Sequence, residues 1–171
     1  MLRWLSDNAA YAGKHSATPR SLPHDFVYGR VDPRDFWLVK SRTQIPRQDR
    51  TLRMLPSAAI YPNHTGSTTP APIAWAFLGL DASLSTLHVE PEYRGLGLAK
   101  SLGLKLFSDE MKTFWQRNPV FAESEKERWL DERYAHADVA TDNEASKRVC
   151  NSLGGKWHFL VYWIRINISR G

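Results

Sequence analysis

An α/β fold in a single domain is what this chain of 171 residues predicts, on three observations. Apolar residues make up 42% of it and aromatic ones 12%, ample for one core at this length. Two apolar runs, 73–80 and 84–89, flank Asp81 and Ala82 and read as a β-hairpin. Directly after the hairpin a glycine turn opens a segment with helical periodicity, so strand and helix signals alternate along the chain.

The elements follow in order. Residues 1–24 mix Ser, Ala, Pro and His without periodicity and read as an arm or linker, leaving 25–171 as the domain. Residues 26–31 read as a strand. Residues 33–42 and 48–55 read as helices, the first with Asp32 as its cap and Pro33 at its first position, where a missing N–H costs nothing. Residues 57–61 are strand-like, and the Thr-, Pro- and Gly-rich tract 62–72 is a connection. Pro91 ends the second hairpin strand by removing a ladder donor. A long helix is expected over 98–115, with Leu106, Phe107, Met111 and Phe114 on one face and Lys105, Asp109, Lys112 and Gln116 opposite. The charged stretch 116–134 reads as an insertion with Trp129, Leu130 and Tyr134 on an extra helix, a place where substrate choice can reside. Residues 137–141 read as a strand. A helix is expected from the cap at Asp142 or Asn143 to the stop at Gly154-Gly155, with Ala145, Val149 and Leu153 as its core stripe. Residues 156–168 read as a closing strand in which Trp157, Phe159, Val161 and Trp163 alternate.

The run Val89-Glu90-Pro91-Glu92-Tyr93-Arg94-Gly95-Leu96-Gly97-Leu98-Ala99 holds the clearest chemistry. Two glycines one residue apart let successive main-chain N–H groups converge on an anion, and the following helix adds roughly half a positive charge at its start. Such a turn holds a pyrophosphate without side chains. A dinucleotide fingerprint is excluded because Lys100 stands where its third glycine belongs, and a P-loop because no G-K-[ST] follows.

The same run resembles motif A of the GNAT superfamily of N-acetyltransferases, V-x-P-x-[YHF]-[RQ]-[GR]-x-G-[IL]-[GA]. The segment 142–155, Asp142-Asn143-Glu144-Ala145-Ser146-Lys147-Arg148-Val149-Cys150-Asn151-Ser152-Leu153-Gly154-Gly155, resembles motif B of that superfamily. Residues 32–39 and 55–61 are more loosely similar to its glycine N-acyltransferase-like branch, which acts on small amines or amino acids. The resemblance implies the GNAT fold: a central mixed, mostly antiparallel sheet of about six or seven strands flanked by about four helices. It implies acetyl-CoA or another acyl-CoA as co-substrate, with Leu87 and Val89 offering main chain to pantetheine. Arg94, Gly95, Leu96, Gly97, Leu98 and Ala99 would hold the diphosphate, and Asn143 and Ser146 would meet the cofactor from the motif B helix.

The implied reaction is acyl transfer to a primary amine by direct attack in a ternary complex. Aminolysis needs a neutral amine, a held oxyanion and a proton for the leaving thiolate. The resemblance assigns the oxyanion to the main-chain N–H of Val89. Cys150 stands where the family often carries a tyrosine acid; its thiol either donates that proton or packs in the core, the commoner place for cysteine. Ser83 occupies the position at which the glycine N-acyltransferase-like branch places a carboxylate base. His88 is the first substitute, because it alternates away from Leu87 and Val89 and has a pKa suited to neutral pH. Asp138 is the second and Glu90 the third.

Composition narrows the partners. A single cysteine excludes an internal disulfide and a multi-cysteine zinc site, and no metal is expected. The longest apolar run is far too short for a bilayer. Residues 1–25 place Asp7, Asn8, Lys14 and His15 where a secretory signal needs an apolar stretch, so a cytoplasmic location is expected. The net charge of +5 comes from residues 1–56, which hold ten Lys and Arg against five Asp and Glu. Basic and aromatic residues do not interleave there, which argues against nucleic acid. The expected partner is a small-molecule amine, met by a monomer or homodimer. The alternatives are a protein or peptide N-acetyltransferase and a CoA-binding module that has lost catalysis.

Overall fold

The computed structural model describes residues 2–5, 21–63, 70–117 and 134–157. The chain runs β1 (Leu2–Leu5), β2 (Phe26–Gly29), a 3-10 turn (Pro33–Asp35) leading into α1 (Phe36–Ser41), and α2 (Asp49–Met54). There follow β3 (Ser57–Pro62), β4 (Ala74–Leu78), β5 (Leu84–Val89), a second 3-10 turn (Pro91–Tyr93), α3 (Leu98–Arg117), β6 (Tyr134–Ala137), α4 (Glu144–Ser152) and β7 (Lys156–Trp157). The bulk of the insertion 116–134 and of the closing strand and most of the 62–72 tract lie outside the described residues, while Tyr134, expected on an extra helix, is the first residue of β6.

Helix starts follow the local chemistry. Asp32 accepts the Arg34 N–H at 2.9 Å with Pro33 behind it, as the sequence predicts, and Asn143 accepts the Ser146 N–H at 3.0 Å to start α4. In the hairpin turn Asp81 Oδ1 accepts the Ser83 N–H at 3.1 Å.

The strands form two antiparallel sheets, one in the order β2-β3-β4-β5 and one in the order β6-β1-β7. This corrects the expectation of a single sheet of six or seven strands. Among the described residues the two sheets meet through one parallel bridge, Ser83 to His136, supported by the His136 N–H on Ala82 O at 3.2 Å. The cause lies in β5. Its register on β4 slips between the pairs Trp75–His88 and Phe77–Ser85, and Thr86 takes a φ of 53°. A bulge of this kind bends and over-twists its strand, so β5 leaves the line of β6 after Ser83.

Two further expectations change. The strand placed at 137–141 is Tyr134–Ala137, because pairing with β1 fixes its register and β1 falls in the segment read as an arm. The stripe of α4 holds at Val149 and Leu153 and fails at Ala145, which is exposed, while Cys150 joins the inward face. Gly103 of α3 packs against this face. A Cβ there would lie 3.0 Å from Leu153 Cδ1, so the glycine lets α4 approach and seat Leu153.

All of β4 is buried and separates two cores. Trp75 and Phe77 face Phe36, Val39 and Leu52 of α1 and α2; Ala74, Ala76 and Leu78 face the other side with Leu98, Leu102 and Leu106 of α3 and Cys150 and Leu153 of α4. The three leucines recur every four residues, and each contributes roughly 1.5–3 kcal/mol on burial. Leu106 is thus on the predicted core face of α3, with Phe107 packed at its edge. No described helix is long and apolar enough to cross a membrane.

Candidate functional site

β5 is an edge strand of its sheet, and its main chain alternates between β4 and the open side. The Glu90 N–H donates to Ile73 O at 2.9 Å, so Val89, opposite Ala74, turns its N–H and C=O away from β4. The side chains of Leu87 and Val89 both pack on the α3 side. Pro91–Tyr93 then turns the chain, with the Tyr93 ring edge-on to Phe26 at 5.9 Å. Arg94 bends back so that its Nε donates to Val89 O at 3.1 Å.

The glycine turn follows. Gly95 and Gly97 have φ of 81° and 77°, left-handed conformations that cost other residues about 1–2 kcal/mol, and no atom lies within 4 Å of where a Cβ would stand. Gly95, Leu96 and Gly97 are exposed; Leu98 is buried, so its side chain serves the core and only its main chain faces outward. Ala99 is half-buried. α3 is 20 residues long, and the N–H groups of its first turn have no helical acceptor. The main chain here borders open space at Gly95 and Gly97, beside a helix start that favours negative charge.

On the other face of β5 the bulge places Ser85 and His88 together, opposite Phe77 and Trp75. The connection between α1 and α2 closes over this face. At its start Arg42 Nε meets Glu90 at 3.0 Å and 3.3 Å, and towards its end Arg47 Nη2 donates to Ser85 Oγ at 2.9 Å. The His88 ring stacks on Trp75, and its Nε2 is 3.4 Å from Glu90 Oε2 without forming a hydrogen bond. Burial pulls the imidazole pKa below its ordinary value and Glu90 pulls it up more weakly, so the ring is neutral at pH 7. Among the described residues, the buried side-chain polar atoms without a hydrogen-bond partner are Asp35 Oδ2, Arg47 Nε, Trp75 Nε1 and His88 Nε2.

The remaining candidates are scattered. Asp138 is exposed and lies just past the end of β6, off the strand on which it was expected. Asn143 spends its side-chain oxygen on the α4 cap, and Ser146 is half-buried beside it. Cys150 is buried at 3% exposure among apolar residues, which pushes its thiol up to about 11. It belongs to the core shared with Leu98, Leu102 and Leu153. No group of three or more His, Cys, Asp or Glu is placed to hold a metal among the described residues. Sequence reasoning missed Arg42, Arg47, Ser85 and Trp75. The one signal for the two arginines was the surplus of basic residues before position 57.

Solved structures share this architecture. A Drosophila protein matches 91% of the chain at 20% identity with a TM-score of 0.62, and an acetyltransferase assigned to the GNAT family from Novosphingobium aromaticivorans matches 92% at 19% identity with a TM-score of 0.55. The chain has the GNAT fold. A third neighbour of that fold, AAC(6')-Iy bound to the bisubstrate analogue CoA-S-monomethyl-acetylneamine, matches 84% of the chain at 14% identity with a TM-score of 0.55 and is covered over 99% of its own length. The chain spans only 46% and 59% of the first two neighbours. No protein-family model and no curated protein sequence matches it.

Proposed function

We propose that this GNAT-fold chain is an N-acetyltransferase that moves an acyl group from acetyl-CoA to the primary amine of a small molecule. The observation that carries the reading is the pair of left-handed glycines in open space between an edge strand and the start of a long helix. The main-chain amides from Arg94 to Ala99 would hold the diphosphate, and the edge of β5 at Leu87 and Val89 would receive the pantetheine arm. Acetyl-CoA supplies the activated acyl group.

The chain's own residues would do the rest. The Val89 N–H, turned away from β4, is free to receive the oxyanion. His88, without a hydrogen bond at Nε2, takes a proton from the acceptor's ammonium, and the neutral amine so formed attacks the thioester carbonyl. Cys150 supplies no proton from inside the core, so the leaving thiolate takes one from water. One observation favours a second reading, a CoA-binding module without turnover: neither Ser83 nor Cys150 supplies the acid-base group its position calls for in the family.

Two measurements test this. Acetyl-CoA at a hundred times its dissociation constant should stabilise the protein by about 2.7 kcal/mol in a thermal melt. A panel of amines, amino acids and peptides, scored by thiol release, should then show turnover. Absence of stabilisation overturns the reading; stabilisation without turnover replaces it with the module.

A further inference from the structure

Arg47 is the cation whose surroundings are incomplete. Its Nη2 is bound to Ser85 Oγ, its Nε is buried with no acceptor, and no carboxylate lies within ion-pairing distance among the described residues. Its neighbours are satisfied differently: Arg42 is paired with Glu90, and Lys40 with Asp49 at 2.6 Å. A guanidinium is always charged, and taking one partly out of water without an anion is costly. Arg47 therefore keeps donor capacity for an anionic partner. It lies on the face of β5 that carries His88, since Ser85 and His88 flank the bulge on one side of the strand. Two more buried nitrogens, Trp75 Nε1 and His88 Nε2, are unpartnered on that face.

We infer that Arg47 binds an oxyanion of the acceptor, so that the substrate is an amine carrying a carboxylate or a phosphate. This rests on the acyltransfer reading above. The guanidinium fork matches either planar or tetrahedral oxyanions through paired N–H donors. Holding that end at Ser85 would direct the amino end along the same face towards His88. The basic surplus of the first 56 residues adds a favourable field for such a substrate.

The test compares acids with their neutral counterparts, by binding and by turnover. The probes are a set of amino acids against their α-amides, and phosphoethanolamine against ethanolamine, each titrated into the protein saturated with CoA. The acids, or phosphoethanolamine, should bind at least tenfold more tightly than their counterparts. Arg47→Gln should abolish that preference and raise KM for the acid, leaving KM for acetyl-CoA unchanged; Arg47→Lys should restore part of it. Preference for carboxylates over phosphate, or the reverse, names the oxyanion. Equal binding of acids and neutral amines, or an equal loss for both in Arg47→Gln, overturns the inference. Anion-selective binding that depends on Arg47, without any thiol release, would sustain it and remove the acyltransfer reading instead.

Discussion

The imidazole of His88 lies over the indole of Trp75, with ring centroids 4.7 Å apart and planes 22° from parallel. Trp75 is fully buried, so the histidine rests on a fixed platform, and burial of the ring disfavours its protonated form. Glu90 beside Nε2 is in turn held by Arg42.

His88→Gln should lower turnover by about 10²–10⁴-fold with acetyl-CoA binding intact. In the native protein the rate should fall as pH drops through a value below the ordinary 6.5. A rate with no acid limb below pH 6.5, or one unchanged in the variant, removes His88 as base. Linkage has the same sign. The unfolded chain takes up the proton first, so stability is complete above about 6.5 and is lost as pH falls through the lower folded value.

Glu90 and Arg42 should move that acid limb in opposite directions. Glu90 raises the His88 pKa and Arg42 lowers it, so Glu90→Gln should shift the limb to lower pH and Arg42→Gln to higher pH. Imidazole titration by NMR reads both. Shifts of the same sign in the two variants would show that the three side chains do not act on one another.

Gly95→Val should abolish the thermal shift given by acetyl-CoA. The β-branched side chain crowds the turn and cannot readily take a φ of 81°, costing about 1–2 kcal/mol in the backbone alone. Because Gly95 is exposed and outside the core, the variant should still fold, which circular dichroism checks. Retention of the full shift would place the anion elsewhere.

Cys150 should be inert to thiol reagents at pH 8 in the folded protein and react fully in denaturant, since burial raises its pKa from 9.0 to about 11. The raised value makes its contribution to stability complete below pH 9 and lost as pH rises through about 11. Fast labelling of the native protein would put the thiol outside the core.

Much of the site was legible because it is written in local backbone chemistry. Gly95 and Gly97 are needed where the chain must turn left-handed, Pro33 and Asp32 where a helix must start, and Leu98, Leu102 and Leu106 where a helix must face a core. Thr86 carries no such sign. A threonine resists a φ of 53°, and pairing with β4 on both sides of the bulge, Trp75 with His88 and Phe77 with Ser85, holds it there. Arg47 and Ser85 are 38 residues apart, and nothing in either neighbourhood announces that they meet.

The sequence by itself determined the strand, the glycine turn and the helix, because those depend on φ preferences and on periodicities of two and 3.6 residues. The tertiary structure decided the split into two sheets, the burial of Cys150, the exposure of Asp138 and the pairing of Arg42 with Glu90 and of Arg47 with Ser85. Those depend on register and helix rotation, which are set by contacts between segments far apart in the chain.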